Sequence, residues 1–141
     1  MTGIENEKLV RRHIDGLNAD TDFGWMDETL APDCILHHPA LPQPLQGVAP
    51  FKGFFQAVRG AFPDFHVALE DVVAAGDKIV VRGTCSGTFE GNFAGIAPTG
   101  KQTTWEAIGI YRIADGMIAE VWEQLDLLGA WQRLGVLPSM G

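Results

Sequence analysis

A chain of 141 residues, 46% hydrophobic and 20% charged, is long enough for one domain with a substantial core, expected to span 1–141, and its composition argues against disorder. Ten basic against eighteen acidic residues give a net charge of −8, which repels phosphate backbones and anionic membrane surfaces and so excludes nucleic acid and membrane as partners. No apolar run approaches the roughly 18 residues of a membrane helix, and Glu5 and Glu7 follow the start where a leader would carry basic residues, so a cytoplasmic protein is expected.

The first segment, ENEKLVRRHIDGLNA, places Leu9, Val10, His13, Ile14 and Leu17 at helical spacings, with Glu5 and Glu7 in the first turn. His13 stands on the apolar stripe and is either a half-buried structural histidine or a group facing a cavity. A second helix is expected over Phe23–Leu30, with Asp20, Thr21 and Asp22 as caps and Trp25, Met26 and Leu30 as its apolar face. Cys34 to His38 reads as a short strand ended by Pro39. Adjacent His37 and His38 then point to opposite faces, so at most one looks inward and the pair makes no metal site. Cys34 and Cys85 lack a CxxC spacing; they could pair, but in a reducing compartment they are expected to be buried thiols.

After a proline-rich loop, Pro50 opens a helix in which Phe51, Phe54, Phe55, Val58 and Phe62 recur on one face. This is the expected main core helix, whose inner edge could line a pocket. From His66 the period changes to that of strands: His66–Val73, a turn at Ala75-Gly76-Asp77, then Lys78–Thr88. Phe89–Gln102 is a glycine-containing loop without phosphate-cradle spacing. A short helical piece is expected over Leu127–Leu134.

Between these last two segments lies TTWEAIGIYRIADGMIAEVWEQLD, two apolar-rich strands around Ala114-Asp115-Gly116. A two-residue Asp115-Gly116 loop would place Gly109 opposite Trp122, whereas a three-residue Ala114-Asp115-Gly116 loop pairs Ile113 with Met117 and Ala107 with Glu123. The longer loop is preferred, because it groups Trp105, Ala107, Gly109, Tyr111, Ala119, Val121, Glu123 and Leu125 on one face with a single acid. Glu106, Ile108, Ile110, Arg112, Ile118, Glu120, Trp122 and Gln124 then form the other face. A carboxyl among such neighbours either looks into a cavity or belongs to a solvated edge strand. Helices followed by antiparallel hairpins give an α+β plan: a cone-shaped, curved antiparallel or mixed sheet wrapped around three helices, with an internal apolar cavity.

Several motifs, taken in order, closely resemble the SnoaL-like polyketide cyclase family of the nuclear transport factor 2-like superfamily. They are Phe62-Pro63-Asp64, Glu70-Asp71-Val72-Val73, Gly76-Asp77, Gly87-Thr88, Gly95-Ile96-Ala97-Pro98-Thr99-Gly100, Arg112-Ile113-Ala114-Asp115-Gly116 and Glu120-Val121-Trp122, and the likeness runs from about Asn6 to Leu137. The resemblance implies a cone-shaped α+β fold, a homodimer, and ring closure by intramolecular aldol condensation without metal or cofactor. It further implies a general acid/base immediately after the strand tryptophan, at Glu123, where the family has Asp. Histidines common in the family fall at the positions of Gly109 and Phe89, and the histidine before the proline-rich loop is matched by His37.

The expected activity is that of a cofactor-independent cyclase or isomerase acting on a hydrophobic, carbonyl-bearing small molecule. Glu123 would shuttle a proton and His37 would donate a hydrogen bond to a substrate oxygen. Trp105, Tyr111, Phe55, Gly109, Phe89 and His13 would form the binding surface. A non-catalytic ligand-binding or dimerisation domain is the alternative, and water activation with Arg82 or Arg112 beside paired acids is a third. Trp122 and Glu120 on the outer face suggest that the homodimer forms sheet to sheet.

Overall fold

A computed structural model of the protein describes residues 2–19 and 22–138. The elements run α1 (Gly3–Ala19), α2 (Met26–Thr29), β1 (Leu30–His37), β2 (Leu45–Gln46), α3 (Val48–Ala61), β3 (His66–Ala75), β4 (Lys78–Thr88), β5 (Gln102–Ala114), β6 (Met117–Leu125) and α4 (Leu127–Arg133). The strands form one sheet in the order β2-β1-β6-β5-β4-β3, in which β1 runs parallel to β6 and all other pairs are antiparallel. This is the expected α+β plan of a curved, mixed sheet wrapped over helices. Helix α1 packs on β3 and β4, α3 on β1 and β2, and α4 on β5.

Burial follows the sequence periodicities. Val10, His13, Ile14 and Leu17 form the buried stripe of α1. On β4 the alternation of Ile79, Val81, Gly83, Cys85 and Gly87 faces the helices. Helix α3 starts two residues before Pro50, which sits in the first turn, where a missing N–H removes no intrahelical bond.

Two boundaries differ from expectation. Helix α2 is confined to Met26–Thr29: Phe23 takes a left-handed backbone (φ 60°) and is buried, while Leu30 already belongs to β1. Of its three expected caps, Asp20 and Thr21 lie outside the described residues, and Trp25 occupies the N-cap position without a side-chain bond. Strand β1 begins at Leu30, not Cys34, and crosses Pro32 because its pairing to β6 is interrupted between Leu30 and Ile35. A proline is tolerated in such an irregularity because no ladder hydrogen bond is required of it.

The β5–β6 hairpin corrects the preferred register. Asp115 (φ 51°) and Gly116 (φ 75°) are both left-handed, so the loop has two residues and Ala114 pairs with Met117. Asp tolerates this backbone well, which makes the tighter turn accessible. Ala119 is then left over as a bulge, and beyond it Gly109 pairs with Glu123 and Ala107 with Leu125. Relative to the preferred register the pairing has moved by two places, and an even shift preserves the faces. Trp105, Ala107, Gly109, Tyr111, Val121, Glu123 and Leu125 therefore share the helix-facing side. Only the residues flanking the bulge change: Ile118, expected outside, is fully buried opposite Ile113.

Gly16, an apparent weakness in α1, has a packing reason. A Cβ there would lie 2.5 Å from the ring of Trp25. Gly→Ala in a helix ordinarily stabilises by about 1 kcal/mol, but here overpacking of about 1–3 kcal/mol opposes the gain. Gly16→Ala is expected to lower the urea midpoint; an unchanged or higher midpoint would show that the Trp25 contact yields.

Candidate active site

The helix-facing side of β5 and β6 does not meet the helices everywhere. Between them lies a cavity of about 110 Å³, several times the ~10–15 Å³ needed to seat one water. Its wall draws on both halves of the core: Phe54, Phe55, Val58 and Phe62 from α3 and its end, Trp105 and Tyr111 from β5, and Trp131 from α4. Phe54, Phe55 and Val58 keep partial exposure while facing inward because they look onto this space.

Glu123 is the lone acid of that wall among the described residues. It is half-buried and faces the cavity, and desolvation pushes its pKa from 4.5 up to about 7, against the opposing pull of one hydrogen bond. That bond comes from Tyr111, whose hydroxyl donates to Oε1 at 3.1 Å. Tyr111 is itself 3% exposed, and burial, then the nearby carboxylate, hold its hydroxyl firmly protonated. Cys85 also lines the cavity; burial, with Glu123 adding to it, pushes the thiol up to about 12. Directly across the ladder Gly109 leaves bare backbone: a Cβ there would stand 3.2 Å from Glu123 Oε1 and 3.2 Å from the Tyr111 ring. No three His, Cys, Asp or Glu side chains converge for a metal among the described residues.

Five of the residues singled out in the sequence come together at this cavity: Glu123, Trp105, Tyr111, Phe55 and Gly109. Three do not. His37 follows buried Cys34 and Leu36 by an odd step and so points to the outer face, where its Nε2 lies 2.7 Å from Glu120 Oε2 and its ring stacks on Trp122 at 5.4 Å. The expectation that it meets a ligand beside Glu123 is corrected accordingly. Phe89 is 0% exposed and packs behind the wall on Phe62 and Trp131. His13 is closed off at 1% exposure, with Nδ1 3.2 Å from Thr29 Oγ1 and Trp25, Phe51 and Tyr111 edge-on around it. Burial lowers its pKa to about 3, so it is a neutral packing residue. Arg82 pairs with Asp71, and Arg112 with Glu120; both pairs sit on the outer face, so neither arginine stands beside Glu123.

The residue that reading of the sequence missed is His38, which lines the cavity. The signal was present: continuing the inward alternation of Cys34 and Leu36 arrives at His38. Phe93 and Trp131, which pack 6.1 Å apart in the wall, were hidden because one lies in a loop and the other on a short helix.

A curved mixed sheet closed over helices, with one carboxyl facing an apolar hollow, defines a cone-shaped α+β domain built around an internal cavity. The chain belongs to the SnoaL-like polyketide cyclase family, whose model matches residues 7–134. It is similar to the aklanonic acid methyl ester cyclase DauD of Streptomyces sp. (strain C5), 29% identical over 133 residues that cover 90% of this chain and 80% of that protein. Among solved structures it is similar to TsrD of Streptomyces laurentii, at 28% identity and a TM-score of 0.86 over 97% of this chain and 99% of that one. A SnoaL-like protein of Jannaschia sp. CCS1 superposes with a TM-score of 0.85 at 26% identity, over 96% and 94% of the two chains.

Two consequences of the buried carboxyl can be measured. Tyr111→Phe removes the hydrogen bond that favours the charged form, so the Glu123 titration followed by carboxyl NMR should move above about 7; an unchanged or lower midpoint would contradict the contact. Folded Glu123 keeps its proton up to about pH 7, but only to about 4.5 when unfolded, so its contribution to stability is complete below pH 4.5 and is lost as pH rises through 7. His13 and His38, with folded values lowered to about 3 and about 4, act oppositely: their contribution is present above 6.5 and lost as pH falls. Glu123→Gln removes the Glu123 part and leaves the histidine part in place. Its stability relative to wild type should rise by on the order of 1–3 kcal/mol between pH 4.5 and 7.5, and a flat difference would mean that the carboxyl is solvated.

Proposed function

We propose that this protein is a cofactor-independent enzyme of the cyclase or isomerase type, acting on a hydrophobic carbonyl compound with Glu123 as general acid/base. The observation that carries this reading is a single carboxyl, poised at about 7, facing an aromatic-walled cavity. A catalytic carboxyl works best when its pKa lies near the working pH, where it can both take and return a proton. A carbon between two carbonyls is acidic enough for one such base. Glu123 as carboxylate removes its proton, and the enolate carbon attacks a second carbonyl carbon of the same molecule to form the new C–C bond. The resulting alkoxide recovers the proton from the Glu123 carboxylic acid.

No Lys or Arg lines the cavity among the described residues. That suits a neutral ligand, and it accords with the methyl ester in the name of the relative DauD. The test uses 1-phenylbutane-1,3-dione, a hydrophobic 1,3-diketone, with exchange of its central C–H in D2O followed by NMR. Glu123→Gln is expected to slow the protein-catalysed exchange by roughly 10²–10⁴-fold. Equal rates would remove Glu123 from the chemistry. Gly109, standing where the family commonly has histidine, favours the non-catalytic binding domain; binding of the diketone without any acceleration by the wild-type protein would establish that alternative.

The homodimer is proposed through the outer face of the sheet. Val73, Val80, Ile110 and Trp122 pair in succession across β3, β4, β5 and β6, a continuous apolar row ending at His37 on β1. Val73 is 55% exposed, and Ile108 beside the row is 50% exposed. Sedimentation at micromolar concentration should give twice the chain mass, reduced to one chain by Ile110→Asp; a wild-type monomer would overturn the assignment.

A further inference from the structure

We propose that His38 is a second catalytic residue, whose Nε2–H donates to the substrate oxygen that gains negative charge when Glu123 takes the proton. This rests on the acid/base reading of Glu123 but is carried by separate observations. Strands β1 and β6 are parallel, with Leu36 paired to Val121 and His37 to Trp122. His38 directly follows that last pair, where the chain leaves β1 alongside the strand that carries Glu123. Both residues line the cavity.

The proton on the imidazole is located by its surroundings. The backbone N–H of Ala40 donates to His38 Nδ1 at 3.1 Å, so Nδ1 is the acceptor and the neutral ring carries its hydrogen on Nε2. Nε2 has no protein partner among the hydrogen bonds of the described residues. Phe54 holds the ring by a tilted contact at 4.7 Å. A ring fixed on one side by a turn amide and on the other by an aromatic face has its orientation held before any ligand arrives.

Charge explains why histidine suits this place. Burial lowers the His38 pKa to about 4, so the ring is neutral wherever Glu123 can ionise. A cationic neighbour would form an ion pair with the carboxylate and weaken it as a base; a neutral N–H donor leaves its basicity intact. The Tyr111 hydroxyl is already engaged with Glu123 Oε1 and does not supply this bond.

The bland reading is that His38 merely caps the turn to Ala40 and packs on Phe54. The two readings differ in what they do to ligand selectivity. The probes are 2-acetonaphthone, a flat ketone that only accepts hydrogen bonds, and 2-ethylnaphthalene, of similar shape without an acceptor. Binding is measured by fluorescence on Glu123→Gln, Glu123→Gln/His38→Ala and Glu123→Gln/His38→Gln. His38→Ala is expected to reduce the ketone-to-hydrocarbon affinity ratio by roughly three- to tenfold, the worth of one neutral hydrogen bond, and His38→Gln, which keeps an N–H donor, to recover part of it. A structural role would move both ligands alike, and an unchanged ratio would overturn the proposal while leaving the role of Glu123 standing. Should Glu123→Gln bind neither probe, the ligand cavity and the proposal fall together. Long-range ¹H–¹⁵N NMR of the wild-type protein gives an independent reading: a hydrogen on Nδ1 of His38 would also overturn it.

Discussion

The carboxyl of Glu123 is half-buried against an apolar cavity where its charge is poorly solvated, and one phenolic hydroxyl offsets only part of that loss. Most of what is distinctive around the cavity follows from this imbalance. The proton stays on to about pH 7, Tyr111 cannot ionise beside it, and the Cys85 thiol is pushed in the same direction by burial and by the same neighbour. None of these groups is rare by itself. Their concentration around bare backbone at Gly109, inside walls of phenylalanine and tryptophan, sets this end of the sheet apart from the filled core beneath it.

A comparison within one strand shows how far surroundings decide the chemistry. Glu120 and Glu123 stand three residues apart on β6 and face opposite ways. Glu120 is bound by His37 at 2.7 Å and by Arg112 at 3.2 Å, and those contacts hold its carboxyl below the usual range. It is a permanently charged strut between three strands. Glu123, with one neutral donor and an apolar hollow, has its carboxyl pushed up to about 7. Identical side chains are thus assigned different work by which side of the sheet they meet.

Alternation made most of this legible from the chain alone. The period of two along β5 and β6 identified Glu123 and its companions Trp105, Gly109 and Tyr111, and it survived an incorrect turn assignment because turn and bulge together displaced the pairing by an even number. Local pattern could not reveal the bulge at Ala119, since an extra residue in a ladder leaves no compositional mark. It also could not choose between His37 and His38 without a fixed phase. Counting from Cys34 and Leu36 would have supplied that phase; matching to a family histidine did not. Parallel pairing of β1 with β6, which brings the end of β1 against the strand that carries Glu123, joins segments more than eighty residues apart and is written in no motif. His13 shows the opposite failure, a histidine with the right periodicity for a cavity that is closed off by three aromatic neighbours.

Bare backbone at position 109 also constrains how such a sheet can change over time. The glutamate reaches across the ladder into room that any side chain on the facing strand would occupy; even a bare methyl there would stand 3.2 Å from its carboxyl oxygen, closer than ordinary contact. Shortening the acid to aspartate alone would open a hole, and adding a bulky ring at 109 alone would drive the carboxyl out of place. The two positions are therefore coupled: a side chain at 109 and the length of the acid at 123 can only be changed together without leaving a hole or a clash.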